Sequence, residues 1–312
     1  QNSSYYLSRG NAYFKNGSFS EALQDYGFSL QLNSENEEAH INRGLLYSAQ
    51  GKISEAIQDF NQVIQNNPDY PYVFYFRGLA WSEIEDWPKA LGDFSEAILH
   101  NPEFAPSYTY RGYVYYQQGN ITNALKDYEK ALKIKENFST TFLFLGIYYC
   151  DHQEYEKALD SFNKAISKNK SYTEAYYHRG LFFDQQKQIQ KAFVEWDQAI
   201  GFFIFQPFFT PTTEKIVLQL AQKYQEQNRI DTLLQKFETK ALLPLGAPYP
   251  KQYFEIFATF LCVRASHYAQ QKKWEEAWKD TLRYIQVASE KHFQQSQIIE
   301  LQKTIKESLP PK

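Results

Sequence analysis

Small and apolar residues recur along this chain at spacings of three and four, which gathers side chains on one face of an α-helix. The stripes come in pairs. Within a pair they are separated by polar turn signals such as Asn16-Gly17, Gln50-Gly51 and Gln118-Gly119-Asn120. The second stripe of a pair ends near Asn67-Pro68 or Asn101-Pro102, where proline cannot continue a helix. The pairs also repeat. Gly10, Gly44, Gly78, Gly112, Gly146 and Gly180 follow one another at intervals of 34 residues. A fixed period of this size predicts an array in which each repeat is one supersecondary unit.

Placing Gly10 at position 8 of a 34-residue unit aligns six repeats, starting at Ser3, Glu37, Pro71, Ala105, Ser139 and Thr173. Position 11 is then aromatic in every unit (Tyr13, Tyr47, Trp81, Tyr115, Tyr149, Phe183). Position 20 is Ala22, Ala56, Ala90, Ala124, Ala158 and Ala192. Position 24 is again aromatic (Tyr26, Phe60, Phe94, Tyr128, Phe162, Trp196), and position 28 is Leu or Ile. Small residues at positions 8 and 20 predict close approach of two helix backbones, with the rings filling the space on either side.

This pattern resembles the tetratricopeptide repeat signature over about two thirds of the chain. The resemblance implies an all-α fold, a right-handed solenoid of helix-turn-helix repeats. Six regular repeats are expected over 3–206. An irregular segment with a degenerate repeat and a proline-rich loop follows over 207–257. A second degenerate repeat and a capping helix are expected over 258–309. The first helix of each repeat would line the concave side.

Position 7 reads Arg9, Arg43, Arg77, Arg111, Leu145 and Arg179, and position 23 reads Asp25, Asp59, Asp93, Asp127, Ser161 and Glu195. The one repeat that loses its arginine also loses its acid. The covariation predicts an Arg–carboxylate bridge within a repeat or between neighbours. A ladder of arginines for an anionic ligand is the competing reading.

After Gln206 the rhythm weakens. Ala221, Tyr224 and Phe237 fit positions 8, 11 and 24 of a unit starting at Glu214, and Ala265, Tyr268, Trp274 and Ala277 fit a unit starting at Ala258. Between them lies Leu243–Pro250, with three prolines, and residues 289–309 predict a polar capping helix. The rings Phe202, Phe203, Phe205, Phe208 and Phe209 either form a second contact patch or fill the kink where the repeats become irregular.

Composition narrows the picture. Net charge is −3 and no basic stripe occurs, so nucleic acid is not an expected partner. No apolar run is long enough to span a membrane. Cys150 and Cys262 show no metal spacing, and neither a metal nor a cofactor is expected. The histidines are scattered, and no catalytic or phosphate-binding motif is present, which points away from an enzyme. The chain has no methionine and starts at Gln1. It therefore reads as an exported chain after leader removal, with a cytoplasmic or organellar chain as the alternative. Asn2, Asn16, Asn120 and Asn137 head glycosylation sequons, relevant only to a secreted eukaryotic protein.

The resemblance also implies where a ligand would lie: positions 2, 5, 6, 9, 12 and 13 of the first helices. In repeats 3 to 6 these include Tyr72, Tyr75, Leu79, Tyr110, Tyr113, Tyr116, Leu143, Ile147, Tyr177 and Leu181. Tyrosine offers large contact area with a polar tip, which suits a protein or peptide partner. Packing between adjacent first helices is the alternative for positions 6 and 9. A carboxylate clamp for chaperone tails is not expected. Asn11 and Asn42 match two of its places, but Leu7, Tyr72 and Phe76 stand where it needs cations. The expected function is a non-enzymatic interaction scaffold within a larger assembly. A peptide- or glycan-recognising accessory factor and a regulatory enzyme subunit are the alternatives.

Overall fold

The computed structural model describes residues 2–205, 210–238, 251–287 and 295–308, and every regular element among them is an α-helix. The first helices of the six repeats are α1 (Ser3–Lys15), α3 (Glu37–Ala49), α5 (Pro71–Glu83), α7 (Ala105–Gln117), α9 (Ser139–Asp151) and α11 (Thr173–Gln185). They begin at the six predicted starts. The second helices are α2 (Phe19–Leu32), α4 (Ile53–Asn66), α6 (Trp87–His100), α8 (Ile121–Ile134), α10 (Tyr155–Lys168) and α12 (Ile189–Ile204). Then come α13 (Pro211–Glu226), α14 (Ile230–Glu238), α15 (Lys251–Gln270), α16 (Trp274–Val287) and α17 (Gln295–Ser308).

The helix ends follow from local chemistry. The Asn36 side chain accepts from Ala39 N at 3.1 Å at the start of α3, and Asn120 accepts from Asn123 N at 3.3 Å at the start of α8. Proline occupies the first turn of α5, α6, α7 and α13, where its missing N–H costs no helical bond. The turn between paired helices always uses one left-handed residue at position 15. It is Gly17, Gly51 and Gly119 in three repeats and Glu85, Gln153 and Lys187 in the others. Asn228 and Lys272 occupy the same place counted from Glu214 and Ala258. A left-handed non-glycine costs roughly 1–2 kcal/mol, so the turn geometry is imposed by the packing of the helices it joins.

That packing centres on positions 8 and 24. A Cβ built on Gly10, Gly44, Gly78, Gly112 or Gly146 would lie 2.8, 2.7, 2.8, 2.7 and 2.5 Å from Cε1 of Tyr26, Phe60, Phe94, Tyr128 and Phe162 respectively. Each ring of the second helix thus lies flush on the backbone of its own first helix. The alanines at position 20 are fully buried beside it. Up to the fifth repeat, each second helix also packs against the first helix of the next repeat, as α2 does on α3 and α8 on α9. Local pairing followed by neighbour stacking is how a repeat array builds its core.

Two compact units make up the chain, Gln1–Phe182 and Phe183–Lys312. The division falls inside α11, before the loss of sequence rhythm at Gln206. In the second unit α15 packs against α12, α13, α14, α16 and α17. Ile256, Phe257, Ala258, Phe260, Leu261, Cys262 and Ala265 are all buried, so the middle of this helix is apolar around most of its circumference. Ala221, Tyr224, Phe237 and Ala277 are buried as their register requires. The expected capping helix is seen as α17, with Ile298 and Ile305 turned inward and Ile299 exposed. Residues 243–250 and 289–294 lie outside the described residues.

Gly146→Ala will destabilise the chain. Overpacking costs roughly 1–3 kcal/mol, against about 1 kcal/mol gained in helix propensity. Adding Phe162→Leu to Gly146→Ala will recover part of the loss. Gly27→Ala, in α2 where an added Cβ meets nothing within 4 Å, will raise stability by about 0.5–1 kcal/mol. Denaturant midpoints of the four chains measure this, and equal effects at Gly146 and Gly27 would contradict the packing argument.

Candidate functional site

Two groups of side chains stand out from the packing register: the arginine–acid pairs and the rings of the first helices.

The arginines belong to the scaffold. Nε and Nη2 of Arg9, Arg43, Arg77 and Arg111 donate to the two carboxylate oxygens of Asp25, Asp59, Asp93 and Asp127, at 2.6–2.8 Å. Each pair lies within one repeat and joins its two helices. The remaining Nη1 of Arg77 reaches back to Asn61 at 2.6 Å, and that of Arg111 to Ser95 at 3.4 Å, both on the second helix of the preceding repeat. Arg179 Nη1 makes the same bond to Asn163 at 2.6 Å. Its expected acid, Glu195, lies in the other compact unit. The clasp recurs where the sequence reading did not place it. Arg264 donates to both oxygens of Asp280 at 2.7 Å, at positions 7 and 23 counted from Ala258, and Nη1 bonds Asp231. Burial pushes the Asp93 and Asp280 carboxyls up from their ordinary value, although Arg77 and Arg264 pull in the opposite direction. These carboxylates need their guanidiniums. In the second repeat His40 joins the clasp, with Nδ1 2.8 Å from Asp59 and Nε2 3.0 Å from the Ser34 carbonyl. A shallow depression of about 350 Å³ beside it is lined by Gly27, Leu30, Gln31, Ser34, His40, Arg43 and Gln62. Its cation is already held by Asp59.

The rings form a continuous row on the first-helix face. Tyr75 meets Phe104 at 5.1 Å and Tyr110 at 5.8 Å, edge to face. Tyr110 meets Phe144 at 5.7 Å, and Tyr113 stacks on Phe144 at 4.6 Å. Tyr72, 39% exposed, stands against Phe104 at 5.0 Å. Leu79, Tyr110, Tyr113, Tyr116, Ile147 and Leu181 are half-buried. Two expected contact residues are corrected: Leu143 is 3% exposed and Tyr177 4%. Position 5 is buried in Leu7, Ile41 and Thr109 as well, because it faces the neighbouring helix rather than the open face. Tyr75, at the same position, stays half-buried.

Several members of the face are absent from the sequence reading. Phe104 and Tyr172 belong to a further aromatic series at position 34 (Tyr70, Phe104, Phe138, Tyr172), which shares the 34-residue period and was legible in it. Glu174 and His178 add polar groups one helical turn apart on α11. Burial pushes the half-buried Glu174 carboxyl up. Burial also takes His178 down to about 4, against a smaller opposing pull from Asp151. Tyr110 and Tyr177 are pushed up to about 12, chiefly by burial. Tyr116 donates to Asp151 across neighbouring repeats. Tyr128 Oη, in a side chain 1% exposed, has no hydrogen-bond partner. Its counterpart Tyr26 donates to Asn11 at 3.0 Å, but the corresponding residue for Tyr128 is Tyr113.

In the first two repeats Asn42 Nδ2 donates to Asn11 Oδ1 at 2.9 Å and Asn11 Nδ2 to Glu38 at 3.1 Å, so these amides bind one another. In the second patch Phe203 is buried, Phe202 half-buried and Phe205 50% exposed. Phe208 and Phe209 lie outside the described residues. Among the described residues no group of His, Cys, Asp and Glu is placed to hold a metal ion, and no helix is long and apolar enough to cross a membrane.

Comparison with known proteins agrees with the geometry. Tetratricopeptide repeat family matches cover residues 10–51, 37–70, 105–138 and 145–204. The chain is similar in fold to a tetratricopeptide repeat protein from Parabacteroides merdae, with 18% identity and TM-score 0.51, over 97% of this chain and 98% of that one. It is also similar to PilF of Pseudomonas aeruginosa, with 15% identity and TM-score 0.51, over 62% of this chain and 88% of that one. MamA shares 25% identity over 52% of this chain and 94% of its own, at TM-score 0.45. No curated protein matches the sequence.

Arg111→Leu will lower the unfolding midpoint, at a cost of roughly 2–4 kcal/mol, because it strands the buried Asp127. Arg111→Leu with Asp127→Ser, copying Leu145 and Ser161, will lose less than Arg111→Leu alone. A double variant as unstable as the sum of both changes would refute the clasp. For His178, an NMR titration will give a midpoint near 4. The folded state holds its proton more weakly than an unfolded chain at about 6.5, so stability falls as pH drops through that interval. A midpoint near 6.5 would mean that the ring is solvated.

Proposed function

The chain belongs to the tetratricopeptide repeat family, and on that premise we propose that it is a non-enzymatic scaffold holding a segment of a partner protein in the concave groove of repeats 3 to 6. Proteins of this family are generally scaffolds rather than catalysts, and the repeat fold in general supports protein interaction. The observation that carries the reading is the row of rings from Tyr72 and Tyr75 through Phe104, Tyr110 and Phe144 to Tyr113. Pairing of the helices is already achieved by the position 8 and 24 contacts and by the clasps. Tyr110 and Phe144 also pack on Phe94 and Tyr128 of the preceding repeats, at 6.0 and 6.3 Å, so the rings left over for a partner are chiefly Tyr72 and Tyr113.

Their chemistry suits a peptide. Half-buried tyrosines are already held by one another, so little side-chain entropy remains to be lost on binding. Each presents an apolar face with a hydroxyl at the edge, able to cover a side chain and to hydrogen-bond a passing backbone. The exposed Phe205 is the second place where a partner could be held, and it lies in the other compact unit.

Quantitative affinity capture from the native source tests the assignment. The wild-type chain will retain a partner at fixed ratio. Changing Tyr72 and Tyr113 to alanine will release it, since truncating a central aromatic contact costs about 2 kcal/mol or more. Phe205→Ala will retain it. The reverse pattern, loss with Phe205→Ala and retention with the tyrosine variant, would move the site out of the groove.

A further inference from the structure

The charges on the first-helix face of repeats 3 to 6 are sorted by sign. Every arginine of these first helices is turned toward second helices: Arg77 to Asp93 and Asn61, Arg111 to Asp127 and Ser95, Arg179 to Asn163. The remaining first helix, α9, has Leu145 at that position and Asp151 as its sole charged residue. His178 is neutral at physiological pH, since burial holds it near 4. No cation of α5, α7, α9 or the first-unit part of α11 is therefore left over on this face.

The acids are placed differently. Glu83 and Glu174 come from α5 and α11, yet both act on the hydroxyl of Tyr110, where burial is the larger effect. Glu83 and Glu85 act on Tyr113, and Glu174 acts on Tyr172, again behind burial. Asp151 is bonded to Tyr116 and acts on His178. Among the described residues no cation contributes at Tyr75, Tyr110, Tyr113, Tyr116, Tyr172 or Tyr177. Glu174 is the extreme case. It is half-buried, pushed up by burial, and relieved only by its own backbone N–H. A half-buried carboxylate near the hydroxyls of Tyr110 and Tyr172, with no cation acting on it among the described residues, is complementary to an ammonium or guanidinium. The buried hydroxyl of Tyr128, beside Tyr113 and Tyr116, is a further polar group of this region without a protein partner.

We propose that the partner segment held by this groove is basic, extended along the rings, with one lysine or arginine seated on Glu174 between Tyr110 and Tyr172. The proposal rests on the groove reading above and adds the chemistry of the occupant. The aliphatic stem of the basic residue covers the rings while its charged end reaches the carboxylate. Asp151, bonded to Tyr116, then adds negative charge along the rest of the segment, which speeds encounter with basic chains and repels acidic ones.

The test uses the full chain and three pools of random octapeptides, with one central position fixed as arginine, glutamine or glutamate. Binding is read by fluorescence anisotropy at low and at 0.5 M salt. The arginine pool will bind most tightly and will weaken with salt. Glu174→Gln, nearly isosteric, will reduce arginine-pool affinity on the order of tenfold. It will leave glutamine-pool binding unchanged and will keep or raise the unfolding midpoint. Lys→Gln and Arg→Gln exchange in a recovered natural partner will repeat the loss.

Equal binding of the three pools, or an arginine preference untouched by Glu174→Gln, overturns the basic-segment proposal. If that binding is still lost with Tyr72→Ala and Tyr113→Ala, the groove itself stands. If no pool binds, or binding ignores the tyrosine variants too, both readings fall. A chain that fills this face by self-association, seen as a dimer by sedimentation and dispersed by Glu174→Gln, also overturns it.

Discussion

The contact on which the array depends is a benzene ring laid against a helix backbone that has no side chain to keep it away. With Cβ absent at position 8, the ring at position 24 sits where even a methyl group would fall at 2.5–2.8 Å. That distance sets how closely the two helices of a repeat approach. The left-handed turn at position 15 is a consequence, since the chain must reverse within a few residues to keep the ring in place. It does so even where Glu85, Gln153 or Lys187 must adopt a conformation that glycine takes without strain. The carboxylates at position 23 are a second consequence. They precede the ring by one residue, are carried into the same interface, and are costly there unless a guanidinium meets them.

Much of this was legible because packing within a repeat is local. Positions 8, 11, 20 and 24 belong to two adjacent helices, so a 34-residue pattern contains the whole contact. The arginine–acid covariation was readable for the same reason, and Leu145 with Ser161 identified the pair by its joint loss. Legibility declined when a contact involved a neighbour. Leu143 and Tyr177 look like surface residues within their own helices, yet both are buried. The Nη1 bonds to Asn61, Ser95 and Asn163 join repeats, and nothing within one repeat marks them. The Arg264–Asp280 clasp kept its spacing of sixteen residues. Its helix α15 had grown to 20 residues and lost the glycine that sets the register. A search for the pair, rather than for the glycine, would have found it.

The rings at position 34 show a different limit. Tyr70, Phe104, Phe138 and Tyr172 follow the period in the second to fifth repeats, yet they fall in the links between repeats, where a helical pattern gives them no face. Only the fold shows that Phe104 stands against Tyr72 and Tyr75 and so extends the row across the gap between helices. Aromatic residues make up 18% of this chain. Composition alone could not separate rings that build the scaffold from rings that line its open face.

Separating them turns on what each ring would cost to remove. Phe94 and Phe162 each fill a space that a glycine left open, and their loss would leave a cavity between two backbones. Tyr113 stacks on Phe144, meets Trp87 edge to face and stays half-buried, so its loss removes contact area without opening the glycine–ring contact of its repeat. The same distinction applies to charge. Asp93 and Asp127 are buried and satisfied, and the array is stable because they are. Glu174 is half-buried, and among the described residues no cation acts on it, so burial opposes its charge in the free array. Under the proposal above, such a residue gains its purpose from a state in which a counter-charge is present, and a basic segment would supply it.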